Sequence, residues 1–198
     1  RDDESGDYGL EPGAHLLDAY AKLADEYGVT IPGGSCSTVG AGGHISGGGY
    51  GLLSRLYGLT VDYLYAVEIV HVTRDGKAEI VTATRDDADT DLQDLLWGHT
   101  GGGGGNFGIV TKFWMRDLPQ RPDQGHLLYQ AFDWSAMDQA KFRTLLQNYG
   151  NFMAENSGVD SPYKGLFPLL GLSQKAAGQI GLTAQYVGDE PQRLEEFT

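Results

Sequence analysis

The chain has a single cysteine among its 198 residues, so no disulfide framework can form within it. It is poor in bases: 14 Lys and Arg stand against 27 Asp and Glu, a formal net charge of −13. No segment carries a basic stripe, which argues against nucleic acid and against an anionic membrane surface as partners. No apolar run approaches the roughly 18 residues of a transmembrane helix. The sequence opens RDDESGDYGLEPG, with neither an initiator methionine nor a signal-peptide pattern. It stops at EPQRLEEFT, just as a helix begins. We therefore expect a fragment of a longer polypeptide, with no compartment assigned.

What the chain has in abundance is glycine, 30 residues in all. Nine of them fall in IPGGSCSTVGAGGHISGGGYG (31–51), around the lone Cys36. Five more are consecutive in HTGGGGGNFGIV (99–110). Glycine costs backbone entropy, so such density implies close approach of the main chain to something bulky, or several positive φ angles.

The remaining pattern describes a mixed α+β domain from 8 to 119. YGLEPGA (8–14) is a short strand and turn. Leu16, Tyr20, Leu23, Ala24 and Tyr27 share one face of a helix over Ala14–Tyr27, with Gly28 placed to cap it. VTIPGG reads as a second short strand. Residues 59–85 are β-branched and aromatic and fold back at Asp75-Gly76 as a hairpin. DLQDLLWGHT (91–100) has helical spacing, and NFGIVTKFWMRDLP is a strand ended by Pro119. The acidic run Asp86, Asp87, Asp89, Asp91 reads as a solvated loop.

RPDQG (121–125) marks a boundary. Beyond it we expect a strand in HLLYQAFDW, an amphipathic helix over about 135–155, and strands near 164–170 and 178–187. The helix carries Met137, Phe142, Leu145, Leu146, Tyr149, Phe152 and Met153, a core-packing stripe. This βαββ order suggests part of a sheet with helices on one face.

Gly103, Gly105 and Gly108 match G-x-G-x-x-G, but a helix precedes them and a strand follows, the inverse of a dinucleotide-binding Rossmann turn. No G-K-[ST] follows either cluster, which excludes a P-loop. A flexible linker would not carry Val39, Ile45, Tyr50, Leu52, Phe107 and Ile109. What remains is a backbone cradle whose two halves line opposite sides of a long anionic ligand. Taken alone, Cys36 reads as a small buried hydrophobe and His44 as a satisfied structural group more readily than either reads as a reactive one. His71 and His99 have no partner that the sequence reveals, and no Cys/His set has zinc spacing.

GGSCSTVGAGGHISGGGYGLLSRLYGLTVDYLYAVEIV, followed by DLLWGHTGGGGGNFGIVTKFW, resembles the flavin domain of berberine-bridge-enzyme-like oxidases, in the vanillyl-alcohol-oxidase (PCMH-type FAD-binding) superfamily. Within that family it is most similar to bacterial sugar oxidases of glycopeptide-antibiotic biosynthesis. The resemblance is strong over residues 7–119 and weak beyond. It implies an α+β fold: residues 1–119 as the second half of the FAD-binding domain, and residues 120–198 as the incomplete start of an antiparallel-sheet substrate domain. It implies FAD bound covalently through Cys36, with a second, histidine linkage and the catalytic base both outside this chain. The implied cofactor-binding set is Cys36, Thr38, Val39, Gly40, Gly42, Gly43, His44, Gly48, Gly49, Tyr50, Gly51, Gly108 and Ile109. His44 would stabilise negative charge on the reduced flavin. Val39 would admit oxygen, where a leucine blocks it. Ile109 would give main-chain contacts toward the adenine. The implied reaction is an oxidase's: hydride from an alcohol of a sugar or glycosylated metabolite passes to flavin, and electrons pass on to oxygen, giving hydrogen peroxide. An aromatic-alcohol or alkaloid oxidase of the same family and a non-catalytic truncated flavoprotein remain the alternatives.

Overall fold

A computed structural model describes residues 1–102 and 104–198; Gly103, the first glycine of the G-x-G-x-x-G match, lies outside the described residues. The chain forms two compact units, Arg1–Arg121 and Pro122–Thr198.

In the first unit, strands β1 (Tyr8–Leu10), β2 (Leu64–Val72), β3 (Ala78–Thr84) and β4 (Ile109–Met115) form a sheet in the order β1-β4-β2-β3. All its pairings are antiparallel. The β2–β3 hairpin turns where Asp75-Gly76 predicts it, with Gly76 at φ 82° and Thr73 N–H donating to the Lys77 carbonyl. Val67, Ile69, Ala83, Phe113 and Met115 point to one face of this sheet and are buried. Helices α1 (Leu16–Tyr27), α2 (Ala41–Ser46) and α4 (Thr90–Gly98) supply Leu16, Leu23, Ile45 and Leu96 to the same core, and α3 is one turn, Ser54–Tyr57.

Helix α1 begins at Leu16, two residues later than expected. It ends in a left-handed Gly28 (φ 67°) whose N–H reaches the Ala24 carbonyl, while Val29 N–H reaches that of Leu23. Two expectations fail here for physical reasons. VTIPGG is not a strand: Pro32 has no N–H, and the segment makes only one isolated bridge, Val29 with Gln120. Residues 60–63 are a 3₁₀ turn, so β2 starts at Leu64. The acidic run up to Asp89 is a largely exposed loop, as expected, and Asp91 lies in the first turn of α4; within it Asp89 caps α4 by accepting from Asp91 N–H, Asp87 accepts from Thr84 N–H, and Asp86 accepts from the Tyr65 hydroxyl.

The second unit is an antiparallel sheet of β5 (Gly125–Asp133), β6 (Leu166–Gly171) and β7 (Gln179–Val187) in the order β5-β7-β6. Pro168 sits on an edge strand, where its missing N–H costs no ladder bond. Helix α5 (Gln139–Glu155) starts later than the expected 135, where Asp138 accepts from Lys141 N–H. Its apolar stripe is half-buried rather than fully buried. Phe152 stacks edge-on against Tyr163 and Phe197, and Tyr149 donates to the Pro168 carbonyl. A short α6 (Gln192–Glu196) buries Leu194 in the same cluster.

Candidate cofactor-binding site

The chain from Pro32 to Gly34 runs extended at the base of the first glycine cluster. Gly51 lies so close to it that a Cβ there would overlap the Gly33 carbonyl. The Ser54 hydroxyl accepts from Gly51 N–H and donates to the Pro32 carbonyl, tying the segment to α3. Two further side chains hold the peptides on either side of the Gly34 Cα. The Tyr20 hydroxyl donates to the Gly34 carbonyl at 2.7 Å, and Gly34 N–H donates to His44 Nε2 at 2.9 Å. His44 is half-buried rather than buried, and desolvation holds its pKa below the ordinary histidine value. Burial pushes the Tyr20 hydroxyl up to about 12.

Beyond Gly34 the chain emerges at the surface. Residues 35–40, which include Thr38, are exposed, and Cys36 is an exposed free thiol, not a small buried hydrophobe. This loop is nevertheless ordered by α1. His15 offers that helix no side-chain cap, and the carbonyls of Val39 and Ser37 accept from the otherwise orphaned N–H groups of Leu16 and Leu17. Val39 itself is 37% exposed. Gly40 bridges to His15 and leads into α2.

The two glycine clusters meet. Gly42, Gly43 and Gly47 of the first and Gly101, Gly104, Gly105 and Gly108 of the second line one open cleft of about 400 Å³, together with Pro12, Ser46 and Val110. A Cβ on Gly43 or Gly105 would meet nothing within 4 Å, so the space a side chain would take is left to the cleft. A Cβ on Gly104 would come within 2.7 Å of that of Ser46. Among the described residues, the N–H groups of Gly101, Gly104 and Gly105 have no backbone partner, while Gly42 N–H is taken by the Pro12 carbonyl. Among the described residues, no Lys, Arg, Asp or Glu lines the cleft. A surface of unspent N–H groups without side chains suits an extended anionic ligand such as a dinucleotide pyrophosphate.

The other expected site residues lie around this cleft. Gly48 and Gly49, both at positive φ, are bonded through their carbonyls to Val61 and Thr60 N–H, which anchors the cluster to the 3₁₀ turn. Gly48 also packs against Gly101. Gly108 (φ 147°) has no room for a side chain, since its Cβ would come within 2.8 Å of the Val70 carbonyl. Ile109 opens β4 opposite Val70 and is 73% exposed. Tyr50 is exposed at the far end of the first cluster. Tyr20 had no sequence signal as a site residue, because its place in the apolar stripe of α1 explains it as core.

A family profile described as an FAD binding domain matches residues 2–82. The chain is 43% identical over 192 residues to aclacinomycin-N/aclacinomycin-A oxidase of Streptomyces galilaeus, covering 91% of this chain and 35% of that protein. It is 40% identical over 148 residues to hexose oxidase of Chondrus crispus, covering 75% of this chain and 27% of that protein. Among solved structures, a glycopeptide hexose oxidase complexed with teicoplanin superposes with a TM-score of 0.88 at 44% identity, over 98% of this chain and 42% of that one. Aclacinomycin oxidoreductase superposes with a TM-score of 0.92 at 41% identity, over 96% of this chain and 42% of that one. The chain thus spans well under half the length of these relatives. With this likeness extending through both units and the glycine-lined cleft lying in the first, the chain carries an FAD-binding domain, and its homologues are FAD-linked, berberine-bridge-enzyme-like oxidoreductases.

Proposed function

We propose that this chain is part of an FAD-dependent oxidase that takes hydride from an alcohol group of a sugar or glycosylated metabolite. The observation that carries the proposal is the cleft between the two glycine clusters, with an ordered, exposed thiol on the same glycine-rich segment. When bound, FAD supplies the hydride acceptor and the means of passing electrons to oxygen, giving hydrogen peroxide. Gly43, Gly104 and Gly105 would admit the pyrophosphate and ribityl chain, with Gly108 and the Ile109 main chain toward the adenine. Cys36 would hold the ring through a thioether, on a loop fixed by its carbonyl bonds to α1. His44 would offer Nδ1–H to negative charge building on the ring, since its Nε2 already accepts from Gly34. Val39, with its partly exposed side chain, would leave room for oxygen. Residues 1–119 would serve the cofactor, and residues 120–198 would begin the substrate domain.

The sugar reading is favoured by relatives named for a hexose and for glycosylated antibiotics. The test is hydrogen peroxide release by the full-length protein against a panel of mono- and oligosaccharides, glycosylated antibiotics and benzylic alcohols. Turnover confined to sugar-bearing compounds is expected. Turnover of benzylic alcohols alone would overturn the substrate class.

A further inference from the structure

Gly34 is the last half-buried residue before the exposed loop that carries Cys36. Both polar groups of its residue are taken by side chains from different helices: the carbonyl by the Tyr20 hydroxyl of α1 at 2.7 Å, and the N–H by His44 Nε2 of α2 at 2.9 Å. The preceding glycine makes room for both, since a Cβ on Gly33 would fall 3.2 Å from His44 Nε2 and against the Tyr20 oxygen. We propose that Tyr20 is a positioning residue, which by holding the Gly34 carbonyl directs Gly34 N–H onto His44 and so decides which ring nitrogen of His44 keeps the proton.

The chemistry of the donors fixes the direction of each bond. A carbonyl can only accept, so Tyr20 must donate. Its raised pKa keeps that proton in place at neutral pH. A backbone N–H can only donate, so His44 Nε2 must present its lone pair. The neutral ring then carries its proton on Nδ1. The Gly34 carbonyl and N–H belong to successive peptide groups joined at a glycine Cα, whose backbone is the freest of any residue, so Tyr20 acts by fixing the orientation in which the N–H meets His44. If Tyr20 served only to fill the core, phenylalanine would do as well. The two bonds give the hydroxyl a separate task.

This inference rests on the reading of His44 as a donor toward the cofactor only for its consequence, not for its test. In the full-length protein, with ¹⁵N-labelled histidine and His44→Gln to assign the resonances, the wild type should show His44 as the Nδ1–H tautomer. Tyr20→Phe should move the tautomer ratio toward Nε2–H by roughly fivefold, the equivalent of about 1 kcal/mol for the one hydrogen bond that fixes the Gly34 backbone. Should Tyr20→Phe fail to fold, 3-fluorotyrosine at position 20 keeps the ring and makes the hydroxyl a stronger donor. By holding the Gly34 carbonyl more firmly it should keep the N–H on His44 and move the ratio further toward Nδ1–H. An unchanged ratio in a folded Tyr20→Phe protein, or an unmoved or reversed ratio with 3-fluorotyrosine, overturns the assignment. The flavin midpoint potential should fall in Tyr20→Phe in step with the tautomer shift. A Cys36 peptide free of flavin in the wild type would instead defeat the cofactor reading, and the tautomer ratio would still decide on Tyr20.

Discussion

At the scale of single residues, His44 and Val39 make separable predictions. Replacing His44 with alanine removes one preorganised donor, so flavin reduction by substrate should slow by roughly 10- to 1000-fold in anaerobic stopped flow. A rate within error of the wild type would leave His44 a structural residue. His44 also sets a pH dependence of stability. Burial lowers its folded pKa below the ordinary 6.5, so as pH falls through that value the unfolded chain takes up the proton first. Stability contributed by the neutral imidazole is therefore full above about pH 7 and declines below about 6.5. Urea midpoints across that range should fall more steeply for the wild type than for His44→Gln. Val39→Leu should leave flavin reduction nearly intact and make reoxidation by oxygen much slower. Because Val39 is 37% exposed, the folding cost should stay within about 0.5 kcal/mol, as for a surface substitution. Equal reoxidation rates on mixing the reduced enzyme with oxygenated buffer would remove Val39 from the oxygen path.

At the scale of elements, legibility followed local chemistry. The β2–β3 hairpin, α1 with its Gly28 cap, and α4 were readable because periodicity and turn residues agree with the final fold. Helix α2 was not, because its sequence AGGHIS contains two glycines, each about 1 kcal/mol less favourable than alanine in a helix. It forms because Ala41 and Gly42 donate to the Ala14 and Pro12 carbonyls, partners supplied by the fold and invisible in the local pattern. Asp89 was concealed in the same way, as one acid in a charged run. Its carboxylate caps α4, the helix that leads into the second glycine cluster. Asp89→Ala should lower stability by about 1 kcal/mol, and Asp89→Asn should restore most of it. Thermal denaturation of the two variants checks this, and equal melting temperatures for Asp89→Ala and wild type would show that the cap contributes nothing.

At the scale of the whole molecule, the sequence indicated that two glycine clusters some 50 residues apart serve one ligand, and the fold brings them to one cleft in the Arg1–Arg121 unit. The bracing of the segment that leads to Cys36 was not readable. Gly51 against Gly33, and Tyr20 and His44 on Gly34, are contacts between segments whose proximity no periodicity encodes. Those contacts stop at Gly34, two residues before Cys36, the exposed thiol proposed to hold the flavin. The most direct measurement is mass spectrometry of the Cys36-containing tryptic peptide from the yellow, active full-length protein after acid precipitation. The peptide should carry the mass of a flavin adduct, and Cys36→Ala should abolish it. A Cys36 peptide with a free thiol from yellow, active enzyme would contradict the account.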